Sequence, residues 1–348
     1  MRPPTANRRL AIVLTCAMAG TCSSSWAEPV SSIGPKLHGP TGAFIQLRSV
    51  AANSAEWWKV ELGAMKAIGM DTVVVVCVAN NSRYYYPTRV PGGTPSEHDT
   101  LQMLLDAADQ HQLKVFLGLH MDRNQFSSSA FDLAANCAQG QAELRELWIR
   151  YGRHASLAGW YMPQELNDYM VFHQPELRDD IVAYTKALTH EARASSRLPM
   201  MISPFFGRKP DAAAYAQWWD ATGLPETGVD IVALQDGVGT HRTTVAEARA
   251  VFQALQPVMA RHGIRFWANN ESFDQIHGWP VDDKRWAAKP VGIDGFKAQV
   301  ESTMPFVEKS ITFEFSHYMS PQGSPAARKL YHDYQALSEA PQAANASD

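Results

Sequence analysis

Thr72-Val73-Val74-Val75-Val76-Cys77-Val78-Ala79 opens on a hydroxyl and is otherwise without a strongly polar side chain. A strand with one wet face alternates polar and apolar residues. A run this uniform reads instead as a strand covered on both faces, as in a parallel sheet lined by helices. Seven further runs of this kind lie at 43–48, 114–120, 157–162, 199–206, 230–235, 264–268 and 311–315. Between them the apolar spacing turns helical, over 56–68, 96–112, 141–153, 175–195, 211–222, 245–262, 293–307 and 325–337. The first of these places Trp57, Val60, Ala64, Ala67 and Ile68 on one side and stops at Gly69; the second takes Ser96 as its cap. Eight strand–helix units, at roughly 38 residues each, predict an α/β fold in which parallel strands close into a single (β/α)8 TIM barrel. The competing arrangement is an open doubly wound sheet, but no GxGxxG turn follows the first strand and no P-loop sequence occurs.

The 348 residues are 45% hydrophobic and 19% charged, with 31 basic residues against 35 acidic ones and a net charge of −4. This chain can bury a sizeable core and has no field with which to hold a polyanion such as nucleic acid. Residues 1–27 read as a secretory leader: Arg8-Arg9, an apolar stretch over 10–20, then Ser25-Trp26-Ala27 as a small-x-small cleavage site. The paired arginines match a twin-arginine signal only loosely, and Thr21 is a poor residue to precede a lipidated Cys22. The expected organisation is a leader at 1–27, the barrel domain at 28–338 and a frayed tail at 339–348, with the mature chain periplasmic or extracellular and no membrane span. Of the four cysteines, Cys77 and Cys137 survive cleavage. They either pair in an oxidising compartment or remain apart, with Cys77 a small buried hydrophobe. No CxxC motif and no Cys/His cluster calls for a metal, and no cofactor is implied.

In a parallel barrel the loops leaving the strands converge at their C-terminal ends, so the residues closing each run are the site candidates. Gln46 closes the first, Asn80 the second and His120 the third. Gln164 and Glu165 follow the fourth, Gln235 and Asp236 the sixth, Asn270 and Glu271 the seventh. Glu314, His317 and Tyr318 lie on or after the eighth. One polar strand end means nothing, because strands must exit into water; the repetition of carboxylates and amides carries the signal. Aromatic residues add a second one. Ten Trp and eleven Tyr include Tyr84-Tyr85-Tyr86, Trp160, Trp267, Trp279, Trp286 and Tyr318 near strand ends or loops, where flat rings suit the C–H faces of sugars. Trp57, Trp148 and Trp218 fit core packing better, and Trp160 and Trp267 fit either role.

The segment Gly159-Trp160-Tyr161-Met162-Pro163-Gln164-Glu165 resembles the fourth strand of the large clan of retaining (β/α)8 glycosidases, which ends in Asn-Glu. Phe266-Trp267-Ala268-Asn269-Asn270-Glu271 is similar to their seventh. The resemblance implies Glu165 as general acid/base and Glu271 as nucleophile, with Gln164 standing where the clan has Asn. Together with Gly42-Ala43-Phe44-Ile45-Gln46, Ser203-Pro204-Phe205-Phe206, the 230–239 segment containing Leu234-Gln235-Asp236-Gly237-Val238-Gly239, and Ser316-His317-Tyr318-Met319-Ser320-Pro321, these motifs resemble a bacterial family called domain of unknown function 4434. That family is grouped with TIM-barrel glycosidases. It implies a carbohydrate substrate, with Gln235, Asp236 and His317 in the cleft.

Cleavage of a glycosidic bond needs one carboxyl kept protonated for the leaving oxygen and another ionised beside the anomeric carbon. The leading expectation is therefore a secreted retaining glycoside hydrolase with catalytic Glu165 and Glu271. Its substrate-binding set is Gln46, Asn80, His120, Trp160, Gln164, Gln235, Asp236, Trp267, Asn270, His317 and Tyr318. Asp236 in place of one glutamate would imply a wider carboxyl separation and inversion. Two readings of another class stand beside it. One is a non-catalytic carbohydrate-binding barrel associated with exopolysaccharide export or processing. The other is a metal-dependent hydrolase using His120 and Asp122, against which the first strand lacks a His-x-His pair.

Overall fold

The computed structural model describes residues 39–207 and 211–339. Eight parallel strands close into a barrel: β1 (Gly42–Ile45), β2 (Thr72–Val75), β3 (Lys114–Gly118), β4 (Leu157–Met162), β5 (Met200–Ile202), β6 (Ile231–Gln235), β7 (Arg265–Glu271) and β8 (Lys309–Phe313). Each pairs with its sequence neighbours, and β8 returns to β1 through Ala43 opposite Thr312. Eight helices cover it: α1 (Ala55–Ala67), α2 (Thr100–His111), α3 (Leu133–Tyr151), α4 (Pro175–Ser195), α5 (Ala212–Trp218), α6 (Val245–His262), α7 (Ile293–Thr303) and α8 (Pro325–Glu339). The leader expected at 1–27, and the tail beyond residue 339, lie outside the described residues. Among the described residues no helix is long and apolar enough to cross a membrane.

Side-chain caps explain where most of the helices start. Ser54, Asp132 and Asp211 each accept a hydrogen bond from the backbone N–H three residues on, and Thr244 with Glu247 forms a reciprocal capping box on α6. Two expected starts shift. The cap of α2 is Asp99, which accepts from Gln102 N, and not Ser96. Helix α3 begins at Leu133, eight positions before the expected 141. Its first turns bury Asn136 and Gly140, so the inward stripe there is polar and small, and apolar periodicity cannot register it. Gly140 is needed for close packing: a Cβ there would lie 2.7 Å from Leu188 on α4.

The strand runs also change length. β2 stops at Val75, and Ala79–Asn80 joins a separate small sheet with Arg83–Tyr84 and His120–Met121. β5 is only three residues long, bounded by Pro199 and Pro204. β7 runs past the expected 268 to include Asn269, Asn270 and Glu271.

Alternation within the strands splits the core into two shells. Phe44, Val74, Phe116, Tyr161, Met201, Ile231, Trp267 and Ile311 fill the barrel interior. Their strand neighbours, including Ile45, Val73, Val115, Trp160, Ile202, Val232 and Ala268, pack outward against the helices. At ~2 kcal/mol for each large side chain fully withdrawn from water, the two shells together supply the main favourable contribution to folding. Cys77 and Cys137 are free thiols, so the pairing left open by the sequence is not made. Burial, reinforced by the charge of Glu143, pushes the Cys77 thiol up to about 12.

Candidate active site

A cleft of about 310 Å³ opens at the C-terminal end of the barrel. Its floor is the top of the interior shell, with Phe44, Val76, Tyr161 and Phe313; Phe273 and Trp286 form one wall. Into it project Glu165 from the segment after β4 and Glu271 from the end of β7, with Gln46, Asn80, Ser203, Gln235, Thr240 and Asn269 as polar neighbours.

Each carboxylate is held by a specific donor. Gln235 Nε2 donates to Glu165 Oε1 at 2.7 Å and to the Ser203 carbonyl at 2.9 Å, so one amide from β6 ties the acid to the end of β5. Gln125 accepts from the Glu165 backbone N–H at 3.0 Å. Across the cleft, Thr240 N–H donates to Glu271 Oε2 at 2.7 Å and its hydroxyl approaches Oε1 at 3.4 Å. Both carboxyls are held above their ordinary pKa. Burial raises Glu165, opposed by the Gln235 hydrogen bond and the charge of Arg242. Burial also raises Glu271, and the charge of Asp236 adds to it, opposed by Thr240 and Arg242.

The remaining expected residues divide by strand parity. Gln46, Asn80 and Gln235 line the cleft. Trp160 is fully buried between β4 and the helices, donating Nε1–H to Ser196 at 2.8 Å. Gln164 turns from the cleft to donate to the His120 carbonyl. Asn270 donates to Asp236 Oδ2 at 2.8 Å and accepts from Ser310, so Asp236 and Asn270 form a buried polar pair behind the barrel wall. Trp267 lies inside the barrel, edge-on to Phe116 at 5.9 Å.

His120 is equally remote from the cleft lining. Its Nδ1 meets Glu143 Oε2 at 3.0 Å and its Nε2 meets Asn136 Oδ1 at 2.8 Å. Both ring nitrogens thus face acceptors. Burial alone would lower the imidazole pKa, but Glu143 and Asn136 hold it above its ordinary value. His317 pairs with Glu314, the buried cap of the short helix Phe315–Tyr318, and Tyr318 packs on Phe273 at 5.2 Å. Glu314 accepts from the Ser316 and His317 backbone N–H groups, the geometry of a structural cap.

Several site residues escaped the sequence reading. Asn269, Tyr161 and Ser203 sit on the inward parity of their strands, a signal that counting from Glu271 or Glu165 would have exposed. Arg242, in the loop after β6, left no such trace. Its guanidinium is 4.5 Å from the centre of the Phe205 ring and 5.6 Å from that of Trp279. Among the described residues no group of three or more His, Cys, Asp or Glu side chains is arranged to hold a metal ion.

A structure named as a "putative alpha-L-fucosidase" from Bacteroides thetaiotaomicron VPI-5482 superposes with a TM-score of 0.73 at 26% identity, covering 90% of this chain and 99% of that one. A GH18 chitinase from Pseudoalteromonas aurantia gives 0.51 at 10% identity, covering 86% and 98%. A GH99 endo-alpha-mannosidase from Bacteroides thetaiotaomicron gives 0.52 at 8% identity, covering 87% and 99%. The last two share the fold alone. Among curated proteins none matches the sequence. The family model described as domain of unknown function (DUF4434) matches residues 41–326, and the chain belongs to that family.

Proposed function

We propose that this protein is a glycoside hydrolase acting by retention, with Glu165 as general acid/base and Glu271 as nucleophile. The observation that carries the reading is the convergence of two carboxyls, half-buried Glu165 from the end of β4 and buried Glu271 from β7, on one cleft lined by aromatic rings. In the first step Glu165 gives its proton to the leaving glycosidic oxygen while Glu271 bonds to the anomeric carbon. In the second, water attacks that carbon, Glu165 takes a proton from it, and the Glu271 ester bond breaks. The raised pKa of Glu165 suits an acid that must arrive protonated. The two donors on Glu271, both from Thr240, favour its ionised form but are outweighed by burial and the charge of Asp236, which push it up to about 8. The basic, apolar and small-residue pattern of residues 1–27 supports export, so we place the activity outside the cytoplasm.

A second arrangement exchanges the two roles. It is favoured by Asp236, whose charge adds to burial in raising Glu271. Glu165→Gln and Glu271→Gln are each expected to lose about 10³-fold in turnover while remaining folded. Aryl glycosides are the first probes, beginning with an α-L-fucoside because the 26% identical structure is named for that activity. Azide restoring Glu271→Ala with inverted product assigns the nucleophile to Glu271; the same outcome with Glu165→Ala assigns it to Glu165. Full activity in either Gln variant would remove that residue from its assigned role, and glycan binding by the wild-type protein without release of reducing ends would overturn the hydrolase reading in favour of a binding barrel.

A further inference from the structure

Arg242 is the basic group least accounted for by its surroundings. It is half-buried, its Nε is sealed from solvent without a hydrogen-bond partner, and among the described residues it forms no ion pair. Its backbone is fixed, because Arg242 N–H donates to the Gly237 carbonyl and the neighbouring Thr243 hydroxyl donates to the Asp236 carbonyl at 2.7 Å. Phe205 and Trp279 hold the guanidinium through their faces, an attraction that uses none of its N–H donors. The turn that carries Arg242 also carries Thr240, which lines the cleft and donates to Glu271, and the charge of Arg242 opposes the effect of burial on both Glu165 and Glu271. Neither carboxylate is within ion-pair distance, which leaves the two terminal nitrogens, though not the sealed Nε, available to a third group.

The rim on the β1 side carries Arg48, exposed and likewise without an ion pair among the described residues. Among the residues lining the cleft the only acids are Glu165 and Glu271. A chain with net charge −4 thus presents one uncommitted arginine in the cleft lining and a second on the turn after β6, near two acids already assigned to the chemistry. A neutral sugar gives a clamped guanidinium no counter-charge. A carboxylate matches its planar donors in bidentate fashion.

Resting on the glycosidase reading, we infer that the substrate is an acidic saccharide, a uronic-acid-containing glycan, whose carboxylate is received by Arg242. The same recognition would serve another sugar-borne anion, so the test separates the carboxylate from the rest of the sugar. Uronic-acid-containing bacterial polysaccharides and oligouronates are compared with the same preparations after carboxyl reduction, which keeps the stereochemistry and removes the charge. Reducing-end release reports cleavage, and calorimetric titration of Glu271→Gln reports binding.

The native form is expected to be preferred, with a preference that weakens as salt rises. Arg242→Gln should lower the native-to-reduced preference about 10- to 100-fold, mainly through KM. Arg242→Lys should recover part of it, since charge remains but the fork is lost. Unchanged thermal melting of each variant excludes unfolding as the cause. Equal use of native and reduced forms, or an Arg242→Gln loss that is parallel on both, overturns the inference while leaving the hydrolase reading intact. Arg242-dependent binding of the native form without cleavage of any glycan overturns the hydrolase reading and keeps this one. Absence of both binding and cleavage for every acidic glycan tried overturns the inference outright.

Discussion

Asp236 lies outside the cleft yet governs a residue inside it. It is fully buried, accepts from Asn270 and from the Val238 backbone N–H, and adds its charge to the burial of Glu271. Burial raises Asp236 itself, against its hydrogen bond from Asn270. A carboxyl raised on folding contributes stability that is complete below its unfolded pKa and is lost as pH rises through the folded one. Wild-type thermal stability should therefore decline from the ordinary carboxyl range upward, and Asp236→Asn should flatten that decline. In acid the variant should be less stable by about 1–3 kcal/mol, since the neutral amide cannot accept at both positions. The same substitution lowers the Glu271 pKa. If Glu271 is the nucleophile, the acid limb of the kcat/KM profile moves to lower pH; if it is the acid, the alkaline limb moves instead. A profile that does not move would disconnect Asp236 from the chemistry. His120 makes the opposite kind of case. His120→Ala would leave Glu143 buried with only Tyr84 and Gln139 as side-chain donors and should cost about 3 kcal/mol in denaturant unfolding, with KM unchanged. Intact stability with a raised KM would return His120 to the cleft.

Between the residue and the barrel lies the strand, and strand parity explains what the sequence reveals. The apolar runs expose the eight strands because strands buried on both faces cannot alternate. The same uniformity hides which residues face inward. Glu165, Gln235 and Glu271 share the inward parity with Tyr161, Ala233 and Trp267, whereas Trp160, Gln164, Asp236 and Asn270 take the outward one. A polar residue at a strand end is thus legible from chemistry, and its direction only from register. Loop residues are less legible still, because Thr240 reaches the cleft through a turn that no periodicity describes, and Arg242 lies on the same turn. That turn predicts its own sensitivity. A Cβ on Gly239 would stand 2.3 Å from the Phe273 carbonyl and 2.8 Å from Glu271 Cβ. The hairpin of Phe273–His277 with Ala287–Pro290 holds the strand that carries this carbonyl, so the turn must give way. Gly239→Ala should cost about 1–3 kcal/mol and lower kcat at least tenfold by displacing Thr240 from Glu271. Wild-type kcat in that variant would mean that the turn does not position the carboxylate.

For the whole molecule, the first and last units meet at the seam, and the cleft exists only when they do. The β8-to-β1 pairing is short, with Ala43 opposite Thr312 and Thr41 N–H donating to the Ser310 carbonyl at 2.8 Å. Other groups reinforce it from outside. Lys309 bridges to Asp71 and Thr72, passing the foot of β1. Ser320 donates to the buried Glu61 of α1 at 2.6 Å. Helix α8 then covers the join, with Leu330, Tyr331 and Tyr334 buried; Tyr331 donates to the Ala64 carbonyl and Tyr334 to that of Pro40, each at 3.1 Å. Withdrawing three such side chains from water is worth about 6 kcal/mol, which is comparable with the whole net stability of a typical domain. Removal of residues 325–348 should therefore abolish cooperative unfolding, although the family match ends at 326. Tyr334→Phe, losing one hydrogen bond, should cost only about 1 kcal/mol and retain activity. Calorimetry separates the cases: a truncated chain that still melts in one sharp transition would mean that the barrel closes without α8, and that the short β8-to-β1 pairing holds the cleft together by itself.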